Sequence, residues 1–300
     1  MHSTPHTPEL RASPLTATWS QRPAEMGMLQ NCSARAFDTL LTTIRCKRPI
    51  FESKTRVMPF KATGILFSEA LALVAAAWTI NATHVIESGT AKGQSTEILA
   101  RVLGPSVQIT TIDNDARYSL YERTKERLQQ WASVRCLKGD SFAIFPQLLP
   151  TLPKHSRALV FVDGPKYEQG LALALYALSH PCVALVALHD TASLWDWKFH
   201  LKLRRHPLTL LMTDIAQFRA EFAVLDGERN EVEALRREAN ESHWPVGRLS
   251  RIQKDGMGLW IGVNLSKPVA RFLCSSGVSA EVCHSERAWS AVGHRLSRAH

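Results

Sequence analysis

Two patterns of apolar positions alternate along this chain: short runs rich in β-branched residues, and longer stretches with one apolar face. The short runs fall at 84–86, 108–112, 133–137, 158–162, 183–188, 221–225 and 258–264, and they predict strands. Residues 158–162 (ALVFV) and 183–188 (VALVAL) are apolar throughout, as strands covered on both faces are. Residues 94–103, 116–131, 141–149, 167–179 and 193–206 carry helical spacing between them. The apolar run 64–80, broken by Ser68, Glu69 and Thr79, reads as a buried helix and falls short of a membrane span. Strands alternating with helices predict an α/β domain, a Rossmann-like doubly wound, mostly parallel seven-stranded sheet with helices on both faces. That domain is expected over 63–264. Residues 1–62 read as an N-terminal extension, largely disordered with some helix, and 265–300 as a tail without periodicity.

One stretch, 83–96 (THVIESGTAKGQST), stands out within this pattern. It runs from a strand through a small-residue turn flanked by Gly89 and Gly93 into a helix opening at Gln94. Glu87 closes the strand at the sheet edge where open α/β folds bind ligands. Glycines that let backbone N–H groups approach, with a helix N-terminus behind them, suit a ligand with charged and hydrogen-bonding groups. An ordinary strand–turn–helix connection has the same letters, so the loop alone does not decide.

The formal charge of +9 invites a polyanionic partner, but its distribution changes the picture. Residues 1–62 contribute +5, residues 265–300 contribute +3, and the middle of the chain only +1. No nucleic-acid partner is therefore expected for the core. The six cysteines are scattered without a C-x-x-C pair or zinc-ligand spacing, which predicts free thiols in a reducing, cytoplasmic setting. The Arg-bearing, acid-poor N-terminal residues would also suit an organelle-targeting extension.

Acidic residues recur at strand ends: Glu87, Asp113, Asp140, Asp163 and Asp190 all fall on one rim of a parallel sheet. Helix N-capping accounts equally well for Asp113 and Asp140, though not for Glu87. The ordered set VIESGTAKGQST, TIDND, GDSF, FVDGPK and LHDT resembles the class I S-adenosylmethionine-dependent methyltransferases, and in part their catechol-type O-methyltransferases. The resemblance implies that Glu87, Gly89, Thr90, Ala91, Gly93 and Ser95 form the cofactor loop, with Ala91 at its middle glycine. It implies that Asp113 receives the ribose hydroxyls, and that Asp140 and Ser141 flank the adenine. Asp163, Asp190 and Thr191 resemble divalent-cation ligands, an oxygen set suited to Mg²⁺, although Thr191 stands where the catechol-type pattern has Asn. Lys166 resembles the general base, its pKa lowered by a neighbouring cation, and His189 is a second candidate base or ligand. The implied reaction is methyl transfer to a hydroxyl of a small-molecule acceptor. Trp195, Trp197 and Phe199 are candidates for a substrate wall.

Two other readings remain. A short-chain-type NAD(P)-dependent dehydrogenase is suggested by Ser88-Gly89-x-x-x-Gly93-x-Ser95 and by Tyr121-x-x-x-Lys125, but that pair comes too early in the chain. A non-catalytic methyltransferase-like binding module is the other.

Overall fold

The structure is a computed structural model that describes residues 23–58, 64–114, 118–191, 197–227 and 258–264, with backbone alone for 23–32, 118–119 and 227. The tail 265–300 and nearly all of the charged insertion 226–257 lie outside the described residues.

Seven strands form one sheet in the order β3-β2-β1-β4-β5-β7-β6. They are β1 (His84–Ser88), β2 (Gln108–Asp113), β3 (Val134–Lys138), β4 (Ala158–Val162), β5 (Val183–Leu188), β6 (Thr209–Met212) and β7 (Trp260–Val263). The first five pair in parallel, and β7 lies antiparallel between β5 and β6. This is the expected Rossmann-like, mostly parallel arrangement. The helices are α1 (Pro23–Thr55), α2 (Phe67–Thr79), α3 (Gln94–Leu103), α4 (Tyr118–Leu128), α5 (Ser141–Leu148), α6 (Tyr167–Ser179), α7 (Trp197–Arg204), α8 (Ala216–Phe222) and α9 (Val224–Gly227).

Side chains alternate across each strand, so every strand feeds two apolar layers. Val85, Leu159, Phe161, Leu185 and Ala187 face the layer holding α1, α2 and α3. Ile86, Val160, Val162, Val186 and Leu188 face the layer holding α5 and α6. Carried one or two residues past the strand ends, the same alternation puts Glu87, Asp163 and His189 on the α2–α3 side and Ser88 on the other. Among the described residues no helix is long and apolar enough to cross a membrane.

The structure corrects three expectations. Residues 23–55, taken as part of a largely disordered extension, form α1 and join the core. Ala36, Leu40, Ile44 and Phe51 are buried on one helical face, and Arg45 holds Glu221 of α8 through two bonds of 2.8 and 2.9 Å. Residues 221–225, expected as a strand, are helical, because Phe218 and Phe222 stack one turn apart with centroids 4.8 Å distant. The sixth strand is the four-residue segment Thr209–Met212 instead. Finally, Cys46 is disulfide-bonded while Cys136 and Cys182 are free, which differs from the expectation of free thiols throughout.

Candidate functional site

Strand order reverses between β1 and β4, so the loops leaving these neighbours run in opposite directions and open a crevice at their C-terminal ends. The two loops approach closely there. Asp163 N and Gly164 N donate to the Ser88 carbonyl at 2.7 and 3.0 Å. Gly89, at φ +98°, has no room for a side chain, since a Cβ would come within 2.8 Å of Gly164 N.

Glu87 is fully buried beneath this loop. Its carboxylate accepts hydroxyl hydrogen bonds from Ser95 and Thr96 at the start of α3 and from Thr111 of β2, the last at 2.7 Å. Burial pushes Glu87 up to about 7, against the pull of these three hydroxyls. Glu87 therefore ties α3 to β1 and β2. Thr90 extends the seam, with Oγ1 2.6 Å from Thr111 Oγ1.

The turn itself is held from both sides. Asp113 Oδ2 accepts the Ala91 amide at 2.6 Å, and Ala91 adopts φ +42° to present it. Thr124 of α4 donates to the Ala91 carbonyl at 3.1 Å, and Arg127 bridges the Lys92 carbonyl and Glu97. Gly93, at φ +66°, hands the chain to α3. Asp140 caps α5 by accepting the Phe142 amide at 3.0 Å, the capping role that its position also suggested. Ser141 Oγ lies 2.6 Å from Ser88 Oγ, and Ser88 in turn donates to the Gly164 carbonyl. These contacts place Glu87, Thr90, Ala91, Ser95 and Asp113 in one hydrogen-bonded cluster, with Ser141 beside Ser88.

On the β4–β5 side the rim holds a chain of opposite charges. Lys166 Nζ lies 2.6 Å from Asp163 Oδ1 and 2.7 Å from Asp190 Oδ2. His189 Nδ1 lies 2.8 Å from Asp163 Oδ1 and 3.4 Å from Asp190 Oδ1, and its Nε2 lies 3.0 Å from Glu69 Oε2. Burial raises the Asp163 carboxyl, but His189 and Lys166 overcome this and hold it at about 2. Burial likewise lowers Lys166, and Asp163 and Asp190 push it up to about 12. His189 is depressed by burial yet raised well above its ordinary value by Asp163, Asp190 and Glu69. Both candidate bases are consequently held protonated. The expected lowering of Lys166 depends on a neighbouring cation; beside carboxylates alone Lys166 is raised instead.

Glu69 is the member that sequence reasoning missed. It is the lone charge in α2, it is buried, and it also accepts the Leu66 amide at 3.1 Å. A carboxylate inside an otherwise apolar helix must find a partner, and that was the available signal. A cleft opens beside it, lined by Ser68, Thr213, Asp214, Phe218 and Arg219. Thr191 is buried, its amide held by the Gly258 carbonyl at 3.0 Å, and its hydroxyl has no hydrogen-bond partner among the described residues. Of the expected substrate wall, Phe199 is buried, Trp197 is exposed, and Trp195 lies outside the described residues. Tyr121 is a buried residue of α4 beneath Lys138, and Lys125 pairs with Glu122, so the dehydrogenase-like pair is not presented at the crevice.

No family model and no curated protein matches this chain. Among solved structures it is similar to the O-methyltransferase TomG from Streptomyces achromogenes in complex with SAM, at 20% identity and TM-score 0.38, over 64% of this chain and 79% of that one. It is also similar to cofactor-bound Rv0187 from MTB, at 17% identity and TM-score 0.40, over 70% and 90% of the two chains. A third is a putative caffeoyl-CoA O-methyltransferase from Staphylococcus aureus, at 14% identity and TM-score 0.38, over 74% and 91%. Likeness of this degree leaves the assignment to the site itself.

Proposed function

We propose that this chain is an S-adenosylmethionine-dependent methyltransferase acting on a hydroxyl of a small-molecule acceptor. The observation that carries the reading is the crevice at the β1–β4 reversal. It combines the close packing of the Gly89 turn against the loop after β4, a helix start at Gln94 and a carboxylate, Asp113, at the end of the adjacent strand. These features fit the cofactor. Glu87, Gly89, Thr90, Ala91, Gly93 and Ser95 would shape its amino-acid end, Asp113 would accept its ribose hydroxyls, and Ser141 with Asp140 would border its base. When bound, the cofactor supplies an electrophilic methyl group on a sulfonium.

The chain's own part is positioning and charge. The cleft beside Glu69 shares that residue with the rim network, and we take it as the acceptor's entry. Lys166 is 39% exposed and, although its charge is balanced by Asp163 and Asp190, its ammonium could donate a hydrogen bond that orients an acceptor oxygen. His189, with carboxylates at both nitrogens, orients Asp163 and does not act as a base. The Mg²⁺ expected from the Asp163, Asp190 and Thr191 pattern would have to displace Lys166. A cytoplasmic location belongs to the same proposal, with the Cys46 disulfide as the sign against it.

Calorimetry with S-adenosylhomocysteine tests the reading. Micromolar binding is expected, weakened about 10- to 100-fold in Asp113→Ala, the loss of one or two hydrogen bonds to a charged group. Preferential nicotinamide dinucleotide binding would overturn it. Cofactor binding without methyl transfer to any of a broad hydroxyl panel would favour the non-catalytic module.

A further inference from the structure

Asp163, His189 and Asp190 form the one group among the described residues whose ligand atoms, within 4.8 Å of one another, are close enough to enclose a metal ion. The neighbouring donors argue against that use. Lys166 Nζ stands 2.6 Å from Asp163 Oδ1 and 2.7 Å from Asp190 Oδ2, the separations of charge-assisted hydrogen bonds, so it sits where a bridging ion would sit. A divalent ion at the usual ~2.1 Å from the same two oxygens would overlap the ammonium. Both ring nitrogens of His189 are engaged by carboxyl groups, Nδ1 by Asp163 at 2.8 Å and Nε2 by Glu69 at 3.0 Å. The hydroxyl of Thr191 is left as the remaining neutral donor, and a hydroxyl is a weak ligand.

We propose that Lys166 is the resident cation of this rim, closing the Asp163–Asp190 pair against divalent ions so that the site works without a metal. The connection favours it. Lys166 follows Asp163 by three residues and immediately precedes α6, so its ammonium is supplied at high effective concentration whatever the ion content of the medium. The two strand ends are thereby held together by a part of the chain. The inference rests on the ion-pair geometry and is independent of the methyl-transfer reading.

The test is a titration of the full chain with Mn²⁺ alone, followed by electron paramagnetic resonance. The wild type is expected to show no stoichiometric site up to millimolar Mn²⁺. Lys166→Met, checked for folding by circular dichroism, should acquire one site at least about tenfold tighter, Lys166→Arg should not, and Lys166→Met combined with Asp190→Asn should lose it again. One wild-type site that Asp190→Asn abolishes overturns the proposal, as does a folded Lys166→Met that gains no site. If Lys166→Met does not fold, the wild-type titration and Asp190→Asn decide alone. Failure to bind S-adenosylhomocysteine would remove the proposed reaction and leave this result standing.

Discussion

Glu87→Gln offers a test with a computable size. Glu87 is completely buried, and its folded pKa of about 7 lies above its ordinary 4.5 because burial disfavours the charged form. A raised carboxyl pKa stabilises the folded state fully below the unfolded pKa, and that contribution is lost as pH rises through the folded pKa. A difference of about 2.5 pH units at ~1.4 kcal/mol each gives roughly 3 to 4 kcal/mol, most of it falling between pH 5 and 8. Gln keeps the shape and the three hydroxyl neighbours but does not ionise, so this slope should vanish in the variant. Urea denaturation of ligand-free wild type and Glu87→Gln at pH 5 and pH 8 measures it. Near pH 5 the two should lie within about 1 kcal/mol of each other. At pH 8 the variant should have gained roughly 2 to 3 kcal/mol relative to wild type. A difference between the two proteins that moves by less than about 1 kcal/mol across this range would refute the argument that burial outweighs the three hydroxyl hydrogen bonds to Glu87.

Two further outcomes follow from the rim. Burial lowers His189, and Asp163, Asp190 and Glu69 together raise it well above its ordinary value, so its contribution to stability is full below about 6.5 and is lost as pH climbs through the folded pKa. Glu69→Gln removes one of those charges, and the alkaline loss measured by denaturation should begin at lower pH than in wild type; an unchanged alkaline limb would count against the network. Gly89→Ala should cost about 2–5 kcal/mol, combining positive-φ strain with the clash against Gly164 N. Gly104→Ala, at φ +78° with nothing within 4 Å, should cost only the strain, about 1–2 kcal/mol, so equal melting temperatures for the two variants would contradict the close approach of the β1 and β4 loops.

The parts of the fold most legible in the sequence were those whose residues serve a single environment. Ala158–Val162 and Val183–Leu188 are buried along their whole length, and their apolar runs show it. Thr209–Met212 escaped notice because four residues carry too little periodicity, while the neighbouring FAVL letters suit a helix face as well as a strand. Helix α1 was obscured by its arginines and threonines. Thr39, Thr43 and Thr55 satisfy their hydroxyls on carbonyls one turn back, which lets a polar-looking sequence pack as a helix. At the site, strand-end position identified Glu87, Asp113, Asp163 and Asp190, since order along the chain fixes the rim. It could not foretell which charges would meet across that rim. The protonation of Lys166 and His189 depends on distances to Asp163, Asp190 and Glu69, and those distances exist only in the folded chain.

The placement of β7 bears on how the molecule is made. It is the last of the described strands in sequence, yet it lies between β5 and β6, pairing with both. Until residue 263 has left the ribosome, β5 is an open edge of six consecutive apolar residues, VALVAL, with its ladder of amides and carbonyls unpaired on one side. Such an edge invites pairing with another nascent chain. The rim inherits the same dependence, because Gly258 and Leu259, which lead into β7, hold Thr191 and Thr213. Synthesis must therefore reach β7 before the β5 side of the rim can take shape, and a chain stopped earlier would present the aggregation surface without a completed rim.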